Sequence, residues 1–156
     1  MNRITERQHM IRWYREETGI TEVDMAEVAR FAISKGWKAP KPQDPVDLLA
    51  SQFAQAAREE TKKDKNTGNP YRVNHVLKIG QRPLWFDIDD PRVTRKKMVL
   101  SLTSRRQGMV ADGVQLSFDA DHWNAMHPDE EPIRPEMDLT PDIAWAKNSD
   151  KDMRRN

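Results

Sequence analysis

The residues best suited to metal chemistry are Asp119, Asp121, His122 and His127, in the stretch DADHWNAMH. Carboxylate oxygens and imidazole nitrogens are ligands for a hard or borderline divalent cation, and a metal-dependent nuclease would use such a cluster. A spacing of five residues separates the two histidines around a helix, unlike the i, i+4 pair of a helical zinc site. We therefore predict no metal and no other cofactor, and we keep a metal-dependent nuclease as the weakest of three functional hypotheses.

Other catalytic motifs are missing from the sequence. The chain has no cysteine, which excludes thiolate zinc sites, disulfides and cysteine nucleophiles. It contains neither of the glycine-rich phosphate loops, GxGxxG and GxxxxGKS/T, and its serines lie outside any GxSxG elbow. We therefore predict no catalytic residues and a protein that is not an enzyme.

The sign of the charge changes along the chain, although the formal net charge is only +1. Residues 58–106 contain thirteen lysines and arginines against six acidic residues, whereas residues 112–152 contain three against eleven. A basic half beside an acidic half is expected when one surface meets a polyanion, or when the two halves meet each other. The basic block therefore indicates a nucleic-acid interface, and a complementary protein is the alternative partner.

The basic residues fall into three groups, and Asn74 lies among them with an amide that could contact phosphates or base edges. Three lysines close the third predicted helix, three basic residues lie in a predicted hairpin, and five lie in the helix after it. The candidate nucleic-acid-binding residues are Lys62, Lys63, Lys65, Arg72, Asn74, Lys78, Arg82, Arg95, Lys96, Lys97, Arg105 and Arg106.

Three amphipathic helices are predicted in the first part of the chain. The first runs from about residue 5 to 18, with Thr5 and Gln8 as a capping box and Gly19 after its end. The second begins near Thr21 to Asp24 and ends before Gly36. An extended connector over residues 38–43 leads to the third helix, which begins at Asp44-Pro45 and runs to about Thr61.

A polar loop and a hairpin follow the third helix. The stretch KKDKNTGNP is rich in turn residues and predicts a flexible loop. Alternating residues from Tyr71 to Leu77 and the run Leu84 to Ile88 predict two strands joined through Gly80. Asp90-Pro91 then predicts the start of a basic helix that ends near Gly108.

The last third of the sequence has short, proline-broken signals. Residues 114–118 predict a strand, and Asp119 predicts the cap of a short helix over residues 119–127. The acidic stretch 128–135 predicts an arm that lies over the body of the protein or a mobile tail, and Thr140-Pro141 begins a final helix through Trp145.

Three helices followed by a hairpin resemble a winged-helix domain, and specifically the HARE-type helix-turn-helix domain. The residues that carry the resemblance are MAEVARFAISKGW, DPVDLLASQFAQAAREE and NPYRVNHVLKIGQRPLWFDID. The eight-residue link between the second and third helices, residues 37–44, departs from the compact turn of that family. The resemblance implies binding of DNA or protein without catalysis, with the third helix in a major groove and the hairpin along the backbone.

We therefore predict an α+β fold: a winged-helix-like three-helix core with a β-hairpin, then a basic helix and an acidic C-terminal arm. The predicted domain covers residues 1–110 and the arm residues 111–156. The leading hypothesis is a small, cytoplasmic DNA-binding or regulatory protein whose partner is double-stranded DNA. The alternative is an adaptor that binds a protein partner or a second copy of itself. No stretch is apolar enough to cross a membrane, so no membrane partner is expected.

Overall fold

The protein has a mixed α+β fold. A computed structural model describes residues 2–80 and 82–155, apart from the side chains of Ile79 and of residues 150–155. Within this part of the chain there are five helices and two antiparallel hairpins. The elements are α1 (Arg3–Thr18), α2 (Met25–Ser34), α3 (Pro45–Glu59), β1 (Thr61–Lys63), β2 (Pro70–Arg72), β3 (Asn74–Ile79), β4 (Arg82–Asp87), α4 (Arg95–Met126) and α5 (Thr140–Arg155).

The chain divides into two compact units. The first ends at Leu48 and the second begins at Leu49, so the division falls within α3. The predicted boundary between residues 110 and 111 lies in the middle of α4, which carries the chain continuously across it. Residues 111–126 are therefore helical.

The first unit contains the pair α1 and α2, both predicted. The side chain of Asn2, rather than Thr5, caps α1 by accepting a hydrogen bond from the Thr5 amide at 2.8 Å. Its C-terminal cap is Gly19, in the left-handed region at φ 69° as expected. The side chain of Asp24 caps α2 in the same way, by accepting from the Ala26 amide at 2.8 Å.

The core of this unit is small and partly aromatic. Tyr14, Val28 and Ala32 are buried. The ring of Phe31 meets those of Trp13 and Tyr14 edge to face, with centroids 5.2 and 5.4 Å apart. Such edge-to-face pairs add stabilisation beyond the buried area, which suits a unit with few core residues.

The third helix begins where the sequence predicts. Asp44 accepts a hydrogen bond from the Val46 amide at 2.8 Å, and Pro45 is the first helical residue. The helix stops at Glu59, two residues before the predicted end, because the chain there enters β1. No described residue of α3 is buried, and its apolar stripe, Val46, Leu49 and Phe53, is exposed.

Two hairpins replace the predicted loop and single hairpin. The stretch KKDKNTGNP is not a flexible loop: its first lysines belong to β1, which pairs with β2. The predicted strand from Tyr71 to Leu77 is interrupted at Val73, which separates β2 from β3. The second hairpin, β3 with β4, has the predicted antiparallel partners and turns through Gly80 at φ 67°.

Val73 joins the elements of the second unit. Its side chain is buried, its amide donates to the Glu60 carbonyl at 3.1 Å, and its carbonyl accepts from the Ile88 amide at 2.9 Å. Val73, at the break between β2 and β3, is therefore hydrogen-bonded to Glu60, just after α3, and to Ile88, just after β4.

Four predictions about the longest helix, α4, are wrong. It begins after Thr94, whose hydroxyl accepts from the Lys97 amide at 3.3 Å, and not at Asp90. It continues through Gly108, residues 114–118 are helical and not a strand, and Asp119 lies within the helix and is not a cap. An isolated glycine in a helix costs only about 1 kcal/mol relative to alanine, and no proline follows before residue 128.

The proline-rich segment, residues 128–139, lies against the C-terminal half of α4. The side chain of Asn124 accepts a hydrogen bond from the Ile133 amide and donates another to its carbonyl, both at 2.8 Å. Met137 approaches Gly113 so closely that a β-carbon there would lie 3.2 Å from its Cε. The segment therefore contacts α4 at Asn124 and Gly113, and α5 begins after it at Thr140.

Candidate nucleic-acid interface

The first group of predicted lysines lies on the β1–β2 hairpin. Lys62 and Lys63 do not close α3; they are strand residues paired with Tyr71 and Pro70. Lys65 lies in the turn between the two strands. The strand β1 fixes the backbone positions of Lys62 and Lys63 better than the predicted flexible loop would.

The turn that holds Lys65 is organised by Asp64. One oxygen of this carboxylate accepts from the amides of Asn66 and Thr67, at 2.9 and 2.8 Å, and from the Thr67 hydroxyl at 3.1 Å. These hydrogen bonds, the one from the Thr67 amide first, hold the pKa of Asp64 below its ordinary value. Gly68 completes the turn at φ 70°, a conformation that favours glycine.

A concave surface lies beside this turn, and we call it the lysine hollow. Its volume is about 700 Å³. The residues that line it are Lys62, Lys63, Asp64, Lys65, Asn66, Tyr71, Ile88 and Asp89. Both of its carboxylates accept internal hydrogen bonds: Asp64 within the turn and Asp89 from the Tyr71 hydroxyl at 2.6 Å. Lys62, Lys63 and Lys65 therefore line the hollow together with two carboxylates that accept hydrogen bonds within the protein.

The bond between Tyr71 and Asp89 gives a testable pH effect. Because the phenol donates a hydrogen bond to the carboxylate, which stabilises the protonated form, the pKa of Tyr71 is raised to about 12. We expect Asp89→Asn to bring this pKa back toward the ordinary value of about 10. A tyrosine whose pKa is raised on folding stabilises the fold below the unfolded pKa, and that stabilisation is lost between about pH 10 and 12.

Ultraviolet absorbance of the tyrosine phenolate, compared with a Tyr71→Phe variant, measures this pKa. Asp87→Asn is the matched control, since Asp87 also raises the pKa by its charge but makes no hydrogen bond to the phenol. An equal fall in both variants would contradict the assignment of the shift to the hydrogen bond.

The second predicted group is divided between surfaces. Arg82 pairs with Ile79, whereas Lys78 pairs with Pro83. Because paired positions share a face and successive side chains of a strand point to opposite faces, Lys78 and Arg82 lie on opposite faces of the β3–β4 hairpin. Arg72 pairs with Thr61 at the end of the first hairpin.

Asn74 has a structural role in this group. Its amide nitrogen donates to the Ala57 carbonyl at 3.2 Å and to the Glu60 carboxylate at 2.7 Å. Because these contacts use both hydrogens of the amide, the side chain anchors the end of α3 on β3.

One basic residue near this hairpin, Arg58, was not among the predicted binding residues. The guanidinium carbon of Arg58, in the last turn of α3, lies 5.4 Å from the centroid of the Trp85 ring. Trp85 pairs with Val76 and so shares a face with Lys78. The position of Arg58 at the start of the basic block was the available signal, but only the fold brings it to an aromatic ring.

The third predicted group is spread around α4. Ser101 is the buried residue of this helix, and its hydroxyl donates to the Val76 carbonyl of β3 at 2.9 Å. Lys97 and Arg105 are four residues before and after it, on the side of the helix that packs on the hairpin. Arg95, Lys96 and Arg106 lie on other sides. The twelve predicted residues therefore do not form one surface.

Lys97 is close to the turn that precedes α4. The hydrogen bond from the Arg92 side chain is the largest cause that lowers the pKa of Asp90 to about 2, and the charge of Lys97 adds a smaller effect in the same direction. Asp90 thus forms a local ion pair with Arg92 at 2.8 Å and does not cap the helix.

The residues of the metal hypothesis are not brought together. Asp119 accepts a hydrogen bond from Gln115 at 2.8 Å, whereas His127 stacks on Trp123 with ring centroids 3.9 Å apart. Asp121 and His122 follow Asp119 on other sides of α4. Among residues whose structure is described, no group of three histidines, cysteines or acidic residues is arranged to hold a metal ion.

Comparisons with known proteins found no matching family model, no matching curated protein and no matching solved structure. Within the described ranges, no helix combines the length and apolar character needed to span a membrane.

Proposed function

We propose that this protein binds double-stranded DNA through the lysine hollow and the two hairpins beside it. The observation that carries the proposal is the meeting of Lys62, Lys63 and Lys65 at one concave surface whose carboxylates are already hydrogen-bonded. An ammonium group with no internal carboxylate partner gains most from a phosphate, because each contact releases condensed counterions from the DNA.

The winged-helix resemblance enters this proposal in a reduced form. In that arrangement a hairpin contacts the DNA backbone while the third helix reads the major groove. We retain the hairpin contact. We do not assign base reading to α3, because its charged residues are Asp47, Arg58 and Glu59, which give it no excess of positive charge.

Charge reversal in the hollow tests the proposal. We expect the double variant Lys62→Glu and Lys63→Glu to weaken binding about equally for all DNA sequences, since phosphates carry no sequence information. The slope of log K against log salt concentration should become shallower by about 2, one for each lost lysine contact. Fluorescence anisotropy of labelled duplex DNA of mixed sequence, at a series of salt concentrations, measures both effects.

The matched control is Lys38→Glu with Lys41→Glu, an equal charge change in the connector between α2 and α3. Equal weakening in both double variants would show that only the net charge matters and would overturn the assignment to the hollow. Absence of binding by the unmodified protein at low salt would overturn the DNA function itself. The adaptor hypothesis would then remain, with the exposed apolar stripe of α3 as one candidate surface.

A further inference from the structure

A cleft lies between the middle of α4 and the segment that follows the helix, and we call it the acidic cleft. Its volume is about 690 Å³, within the range of about 300–1,000 Å³ that is typical of ligand sites. The wall on α4 extends from Arg106 to Ser117, which is about 16 Å at 1.5 Å per residue. The opposite wall comes from residues between Glu136 and Ile143. The cleft is therefore long enough for about three turns of a helix.

Much of the lining of the acidic cleft is apolar and accessible. Apolar side chains of both walls are between 44% and 54% exposed, so a ligand in the cleft would remove apolar surface from water. Methionine is common on surfaces that bind varied apolar partners, because its side chain is flexible. The apolar lining includes Met109, Val110, Leu116, Met137, Leu139 and Ile143.

The wall opposite α4 is held in place by contacts within the chain. The two hydrogen bonds of the Asn124 side chain attach the backbone of Ile133 to α4. The Asp138 carboxylate accepts a hydrogen bond from the Thr140 amide at 3.1 Å, at the start of α5. The cleft is therefore formed without a ligand, which lowers the cost of binding one.

The charge around the cleft is negative. Among the described residues that line it, Asp112, Glu136 and Asp138 are acidic and Arg106 is basic. Within the described part of the chain, none of these three carboxylates forms an ion pair. The surrounding sequence, residues 107–148, contains nine acidic residues and two basic ones. A basic partner is therefore attracted to the cleft, whereas an acidic one is repelled.

We propose that the acidic cleft is a docking site for an amphipathic helix of a partner protein, with apolar residues on one face and lysines or arginines beside them. The length of the cleft favours a helical segment over a small molecule. The apolar lining contacts the apolar face of that segment, and the carboxylates pair with its basic residues. This inference goes beyond the DNA-binding function and does not rest on it, since no residue of the lysine hollow takes part.

Model peptides test the chemistry of the partner. The probe is a fluorescein-labelled peptide of leucine and lysine, about four helical turns long, with its leucines on one face. Fluorescence anisotropy with the full chain gives its dissociation constant. We expect roughly tenfold weaker binding of two controls, one with glutamate in place of lysine and one with the same composition in scrambled order. Equal binding of the scrambled peptide, or no binding of the probe at low salt, would overturn the proposal.

Two leucines of α4 provide a matched pair of variants. Leu116 lines the cleft and Leu102 does not, and both are 48% exposed. We expect Leu116→Gln to raise the dissociation constant of the peptide about fivefold, because apolar surface would no longer be buried against it. Leu102→Gln should leave the constant unchanged, and circular dichroism should show equal helix content in both variants. Equal effects of the two changes would contradict binding in the cleft.

Neutral replacements test the carboxylates. We expect Glu136→Gln with Asp138→Asn to weaken peptide binding roughly tenfold at low salt and less at high salt. Asparagine keeps an oxygen that can accept from the Thr140 amide, so the start of α5 is preserved. The control is Glu130→Gln with Glu131→Gln, an equal charge change at residues that do not line the cleft. Equal weakening in both double variants would mean that only the net charge acts, and the proposal would fail.

Sedimentation equilibrium distinguishes a partner helix from a second copy of this chain. We expect Leu116→Gln to leave the oligomeric state of the protein unchanged. A dimer of the unmodified protein that this change converts to a monomer would assign the cleft to a second copy and would overturn the proposal.

Discussion

Ser101→Leu is expected to lower the free energy of unfolding of the second unit by about 3 kcal/mol, because the site has no room and its partner would lose a hydrogen bond. Ser101 is 1% exposed, and its hydroxyl donates to the Val76 carbonyl of β3 at 2.9 Å. A leucine side chain would force α4 away from the hairpin. The Val76 carbonyl would also remain buried without this donor.

Guanidinium denaturation gives the loss of stability, and amide hydrogen exchange locates it. We expect faster exchange in β3 and in the first turns of α4, whereas exchange in α1 and α2 should not change. Ser104→Leu is the matched control, since Ser104 is an exposed residue of the same helix and its replacement should change stability by less than about 0.5 kcal/mol. Equal losses in the two variants would contradict the role of Ser101 as the contact between α4 and the hairpin.

Several elements that depend on neighbouring residues were predicted from the sequence. Asp24 and Asp44 cap the helices that follow them, and Gly19 adopts the left-handed conformation after α1. A cap is recognisable because its side chain binds an amide only two or three residues away. The β3–β4 hairpin was also predicted, since aromatic and branched residues on both sides of Gly80 are a local signal.

The elements that depend on distant residues were not predicted. Residues 61–63 have no alternating apolar pattern, and they form β1 because the Asp64 turn brings residues 70–72 beside them. In α4, Gly108 and the branched residues near Val114 indicate an interruption. Instead, α4 is one continuous helix. Its first half packs on β3 through Ser101, and its second half contacts the proline-rich segment through Asn124.

The candidate site was predicted by residue type but not by arrangement. The charge count identified Lys62, Lys63 and Lys65 as members of a basic block. That these lysines line one hollow depends on the pairing of β1 with β2. It also depends on the hydrogen bond from Tyr71 to Asp89, two residues that are 18 positions apart in the sequence. Contacts of this kind have no local signal, because the two partners become neighbours only after the chain has folded.

Val73→Asp is expected to destabilise the second unit even more than the change at Ser101, by about 4 kcal/mol, which is the range for an unpaired buried charge. Val73 is 2% exposed. Its amide and carbonyl are both engaged, with Glu60 and Ile88, so the backbone offers no donor to a new carboxylate. The end of α3 and the β3–β4 hairpin meet at this residue, and both should lose protection from amide hydrogen exchange.

The pH dependence distinguishes the buried charge from the loss of the valine side chain. Burial should raise the pKa of the new carboxyl group, so the destabilisation should become smaller as the pH falls and the group is protonated. Leu84→Asp is the matched control on the same hairpin, because Leu84 is 53% exposed and a carboxylate there remains hydrated. Denaturation midpoints for the two variants from neutral to acidic pH make the comparison. A loss at position 73 that did not change with pH would mean that the lost packing of valine, and not the buried charge, determines the stability of this junction.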